Sequence, residues 1–107
     1  MERVIIVDSD AVHAAELQRG LESVGCEVAV CGDAKSDFEL IRSVCPELVV
    51  VVPRSPMTLG DALASVHSVV KHLERQPEIL FLLRWEPRGL TERLVGDRWN
   101  VQVLYER

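Results

Sequence analysis

Arg3-Val4-Ile5-Ile6-Val7-Asp8-Ser9-Asp10 and Leu48-Val49-Val50-Val51-Val52-Pro53 are the stretches that decide the fold. Each opens on a continuous β-branched run rather than an alternating one, the mark of a strand buried on both faces of a sheet. Each ends abruptly, the first in residues that favour helix N-caps and the second in a proline. After the first run, Ala14, Leu17, Leu21 and Val24 recur at helical spacing, with Glu16, Gln18, Arg19 and Glu22 on the opposite side. Gly25 then stands where a C′ glycine ends a helix.

The alternation continues along the chain. Glu27 to Cys31 reads as a second strand closed by Gly32. Asp33 is positioned to cap a second helix with an inner stripe of Ala34, Phe38, Ile41 and Cys45; Ser36 and Glu39 offer an alternative capping box. Pro46 ends that helix, and Leu48 to Val52 forms the third strand. Pro53 to Thr58 is a loop, because two prolines remove donors and disfavour helix before them. A third helix is predicted from about Leu59 to Arg75, with Ala62, Leu63, Val66, Val69, Val70 and Leu73 inward. Ile79 to Leu83 is a fourth strand, Leu90 to Val95 a candidate short helix, and Val101 to Tyr105 a fifth strand. Strand–helix alternation with short connections predicts an α/β domain with a parallel sheet and helices on both faces. In such sheets ligands and reactions gather at the carboxyl ends of the strands, which directs attention to Asp8, Ser9, Asp10, Val52 to Ser55 and Leu82 to Arg84.

Composition narrows the function classes. The 107 residues are 48% hydrophobic and 27% charged, with a net charge of -5. That length suits one domain, residues 1–107, with a modest core. The acidic balance and scattered basic residues argue against a direct nucleic-acid surface. No run approaches the roughly 20 apolar residues of a membrane span, nor does an apolar stretch of a secretory signal follow Met1. Three cysteines, Cys26, Cys31 and Cys45, lack metal-ligand spacing and read as reduced core thiols of a cytoplasmic protein.

The order of these pieces resembles the receiver domain of two-component response regulators. The likeness is carried by Val4 to Asp10, Gly25-Cys26-Glu27-Val28, Pro46 to Val52, Pro56-Met57-Thr58-Leu59-Gly60 and Gln76-Pro77-Glu78-Ile79. It implies a three-layer, flavodoxin-like five-stranded sheet in the order 2-1-3-4-5, here with the last helix missing. In that family an acidic pair after the first strand holds Mg²⁺, an Asp ending the third strand accepts the phosphoryl group, and a Thr or Ser and a Lys end the fourth and fifth strands. Mapped here, Asp8 keeps the first acidic position and Ser9 replaces the second. Val52 falls at the phosphoacceptor and Leu82 or Leu83 at the hydroxyl position, while the only lysines are Lys35 and Lys71. An acyl phosphate requires a carboxylate nucleophile, and Mg²⁺ requires several hard oxygen ligands. The resemblance therefore implies a degenerate receiver, not phosphorylated on Asp and binding no cofactor or metal.

Loss of the acceptor leaves Asp8 and Asp10 as negative charge at the pocket mouth, either paired with Arg54 or Arg84 or solvated as an acidic rim. His13, His67 and His72 read as solvated helix positions; the last two lie about 140° apart on a helix and cannot chelate together. The run Asp10-Ala11-Val12-His13 lacks the spacing of a cobalamin loop, and no glycine-rich phosphate cradle follows the first strand. Ser55 before Pro56 reads as turn chemistry. Trp85 and Trp99 are either partner anchors or partly buried cover. With no helix after the fifth strand, the edge carrying Val101, Val103 and Tyr105 calls for a cover. The expected cover is a protein partner or second copy on the fourth-helix/fifth-strand side, in the N-terminal regulatory part of a longer protein. The leading expectation is a non-catalytic signalling and interaction module that regulates transcription or motility through an output component. The alternative is a small-molecule sensor using the strand-end pocket around Asp8 and Arg54.

Overall fold

The structure, a computed structural model, describes residues 2–34, 36–53, 59–83 and 101–105, with the backbone alone at 59, 60, 83 and 101–105. Strands β1 (Arg3–Val7), β2 (Glu27–Cys31), β3 (Leu48–Val51), β4 (Glu78–Leu83) and β5 (Val101–Tyr105) alternate with helices α1 (Ala11–Ser23), α2 (Phe38–Val44) and α3 (Leu59–Val70). The strands form one parallel sheet in the order β2-β1-β3-β4-β5. The expected α/β architecture with a parallel sheet is thus present. The candidate helix over 90–95 lies outside the described residues, as do Arg54, Trp85 and Trp99.

Continuous apolar runs became central strands because both of their faces are covered. Val4 and Ile6 pack with Ala14, Val50 and Val52 on the α1 face, with Leu17 and Leu21 against them. Ile5 and Val7 point the other way, into a larger core with Val49, Val51, Ile41, Val66, Val69 and Phe81. The period-2 alternation of a strand feeds both cores from four consecutive residues. Backbone pairing continues one residue past each strand: Asp8 N–H donates to Cys31 O and Val52 N–H to Val7 O, both at 2.9 Å. These bonds fix where the site residues leave the sheet.

Helix boundaries differ from the sequence reading where local hydrogen bonds compete with the helix. Of the two cap-favouring residues Ser9 and Asp10, it is Asp10 that caps α1, its carboxylate accepting from the N–H groups of Val12 and His13. Gly25 adopts φ +94° just past α1, a conformation a side chain would strain, and its N–H donates to Glu22 O. Val24, expected on the inner stripe, is instead the C-cap and is exposed, because the chain has left the helix there. α2 starts four residues after Ala34, not at Asp33: that carboxylate accepts from Ser36 Oγ, and a turn closes through Asp37 N–H to Asp33 O. Cys45, also expected inward, is exposed in a left-handed conformation (φ 53°) before the buried Pro46. α3 ends at Val70 rather than Arg75, because the last turns tighten to i→i+3 bonds and the Gln76 amide donates to Val70 O and Leu73 O. Among the described residues no helix is long and apolar enough to cross a membrane.

The packing predicts a sharp contrast between two apolar substitutions. Phe81 is fully buried between β3 and α3 neighbours, so Phe81→Ala should cost about 3–5 kcal/mol. Val24 is 76% exposed, and Val24→Ser should change stability by less than about 0.5 kcal/mol. Urea denaturation of the two variants checks both.

Candidate functional site

At the carboxyl end of β1 the chain turns from strand to helix within three residues, and this turn builds a buried polar pair. Asp8 emerges from the sheet with its backbone N–H bonded to Cys31 O, which directs the carboxylate back under the start of α1. Its Oδ1 accepts from the Asp10 N–H at 2.9 Å. Its Oδ2 lies 2.5 Å from His13 Nδ1. With the carboxylate ionised, the imidazole Nδ1–H is the donor of this bond. Both side chains are almost wholly removed from water, at 4% exposure for His13 and 0% for Asp8. His13 reaches this position because Asp10 caps the helix and holds the His13 N–H at 3.2 Å, which sets the imidazole on the inner face beside Ala14.

This pair corrects two expectations. His13 is a buried partner of Asp8, not a solvated helix position. Asp8 does not belong to a solvated acidic rim; it is buried, while Ser9 and Asp10 are exposed. The proposed partner Arg54 and its alternative Arg84 lie outside the described residues. The signal that could have found the pair was the five-residue spacing between a strand-end carboxylate and a residue in the first turn of the next helix. Helical periodicity alone missed it, because His13 adjoins the apolar stripe without belonging to it.

The other positions divide between the two faces of the sheet. Val52, 4% exposed, packs in the α1-side core, and the half-buried Leu82 lies against the same cluster. In the β4–β5 register Leu82 stands beside Leu104. Val101, Val103 and Tyr105 sit on β5, in register with Ile79, Phe81 and Leu83. Ser9 and Val52 meet at a cavity of about 270 Å³ on the α2/α3 side of the strand ends, with Val7, Ala34, Ala62 and Ser65 also in its wall. Asp8, Asp10 and Leu82 are not in that wall.

Among the described strand-end residues the donor set is poor for a divalent cation. The Val52 side chain has no oxygen, Ser9 offers a neutral hydroxyl, and the Asp8 carboxylate is already engaged by the His13 imidazole and a backbone N–H. Among the described residues no group of three or more His, Cys, Asp or Glu side chains could hold a metal ion. The three cysteines are free thiols: Cys31 is buried, Cys26 half-buried and Cys45 exposed. Burial, reinforced by the Asp37 and Asp33 carboxylates, pushes the Cys31 thiol from its ordinary 9.0 up to about 12.

No protein-family profile matches the chain, and no curated protein matches it. Solved structures do. The N-terminal domain of a response regulator receiver protein from Methanoculleus marisnigri superposes with a TM-score of 0.78 at 15% identity, over 100% of this chain and 85% of that one. The chemotaxis protein CheY4 of Vibrio cholerae gives 0.76 at 17% identity, over 99% and 87%. A LuxR-family DNA-binding response regulator from Staphylococcus aureus gives 0.71 at 20%, over 97% and 86%. The chain is therefore similar in fold to response-regulator receiver domains, a flavodoxin-like α/β sheet.

Two measurements probe the site. His13→Ala leaves a buried carboxylate without its charge-assisted donor and should cost about 3–5 kcal/mol. Asp8→Ala in the His13→Ala background should cost far less than it does alone, so a double-mutant cycle by urea denaturation should return a coupling above about 1 kcal/mol. For Cys31 the neutral thiol is favoured in the folded state. Its stability contribution is complete below pH 9.0 and lost as pH climbs toward about 12. Cys31→Ala should remove that alkaline loss, and a thiol reagent at neutral pH should label the exposed Cys45 well ahead of Cys31.

Proposed function

We propose that this chain is a non-catalytic regulatory module with the receiver fold, one that signals through protein contacts without Asp phosphorylation. The observation that carries the reading is the hydrocarbon side chain of Val52, 4% exposed at the end of β3, where the resemblance places the phosphoacceptor. Phosphoryl transfer to a protein carboxyl needs an oxygen nucleophile at that point, and a valine methyl has no lone pair to offer. The Asp8–His13 pair supports the same reading. An internal imidazole engages the carboxylate that the family uses for Mg²⁺.

Receiver-fold modules of this kind act by presenting a surface. Here the proposed surface is the fourth-helix/fifth-strand side, with Val101, Val103 and Tyr105 on the edge strand β5 and Trp85 and Trp99 as aromatic anchors. The proposed partner is a protein, either a second copy or an output component, attached or separate, that acts in transcription or motility. A low-molecular-weight phosphoryl donor with Mg²⁺ tests the central claim. Intact mass and Trp fluorescence should be unchanged after incubation. A hydroxylamine-labile adduct on any carboxyl would overturn the reading.

A further inference from the structure

We infer that the cavity between β3 and α3 is a binding site for a small, neutral, mostly apolar molecule carrying one hydrogen-bonding group. It goes beyond the interaction-module reading, which would stand if the cavity bound nothing. It sets the ligand pocket beside Ser9 and Pro53 and not at Asp8, while Arg54 lies outside the described residues.

The cavity exists because small residues occupy positions where a helix and a sheet would otherwise interdigitate. Ala62, on the first turn of α3, and Ala34, in the β2–α2 connection, are both buried, yet neither reaches across the space between them. Gly32 adds no side chain at the rim. Val7 and Val51 in its wall also belong to the larger core, so the site is a cleft continuous with that core. Its volume, about 270 Å³, exceeds the roughly 150 Å³ of an apolar protein cavity that stays dry and accepts benzene. A molecule of about ten non-hydrogen atoms fits at ordinary packing density.

Polar groups at the edge set the ligand's chemistry. The half-buried Ser65 and the exposed Ser9 bring hydroxyls to the wall, enough to orient one hydroxyl, amide or ring N–H. The only charged side chain among the described lining residues is Asp33, a carboxylate that accepts from Ser36 Oγ. Acidic charge at the rim and an apolar interior both disfavour a carboxylate or phosphate ligand. The site's location gives it regulatory reach: it touches the ends of β1 and β3 and the first two turns of α3, so occupancy would bias the strand-end connections directly.

The probe is 2-naphthol, titrated into the full chain by calorimetry and followed by methyl chemical shifts. One saturable site with micromolar affinity is expected, with shifts at Val7, Val51 and Val66. Ser65→Leu fills the cavity from a half-buried position and should weaken binding at least tenfold while the circular dichroism spectrum is retained. Ala34→Leu fills it from the β2–α2 connection, off α3, and serves if the first variant disturbs that helix. The anionic 2-naphthoate should not saturate the site. Absence of saturable naphthol binding to the unsubstituted chain, undiminished binding to both filled variants, or equal affinity for the naphthoate would each overturn the inference. The phosphoryl-donor test above is indifferent to all three outcomes, so either proposal can fail alone.

Discussion

The structure depends on β1 being paired on both sides and buried on both faces. Its ladder runs to β2 in one direction and to β3 in the other, with Val7 in register with Cys31 and Val51. Val4, Ile5 and Ile6 have no exposure to solvent. Because this strand cannot slip without turning both sets of side chains onto the wrong face, the residue that follows it is fixed in space. Asp8 inherits that rigidity. A carboxylate held rigidly below the surface needs a partner, and the nearest element that can provide one is the first turn of α1.

His13 meets that need at small conformational cost. Asp10 caps the helix, its carboxylate ordering the same backbone N–H groups that orient the imidazole. Strand end, cap and imidazole all lie within six residues of the chain. The imidazole is thus a donor tethered to the same short segment of chain as the carboxylate it serves. The end of β1 is thereby tied to α1, and the unfilled space lies on the other face of the sheet, in the cavity under α3. There, alanines and a glycine leave the core incompletely filled. A buried polar pair thus lies on one face of β1 and apolar open space on the other.

The sequence by itself determined the architecture. Continuous Val and Ile runs can be satisfied only by burial on two faces, and their alternation with capped amphipathic segments leaves a parallel sheet as the consistent solution. It also determined the chemistry of position 52, because a valine is a valine in any fold. Tertiary structure alone decided the rest. Local hydrogen bonding moved the start of α2 past Asp33 and ended α3 at Val70, where competing side-chain amides and hydroxyls outweigh helix propensity. The partnership of Asp8 with His13 was not legible from periodicity, since it joins the end of a strand to the side of a helix across a turn. The cavity was equally hidden: a void is the difference between the space two elements enclose and the volume their side chains fill, and only packed elements have such a difference.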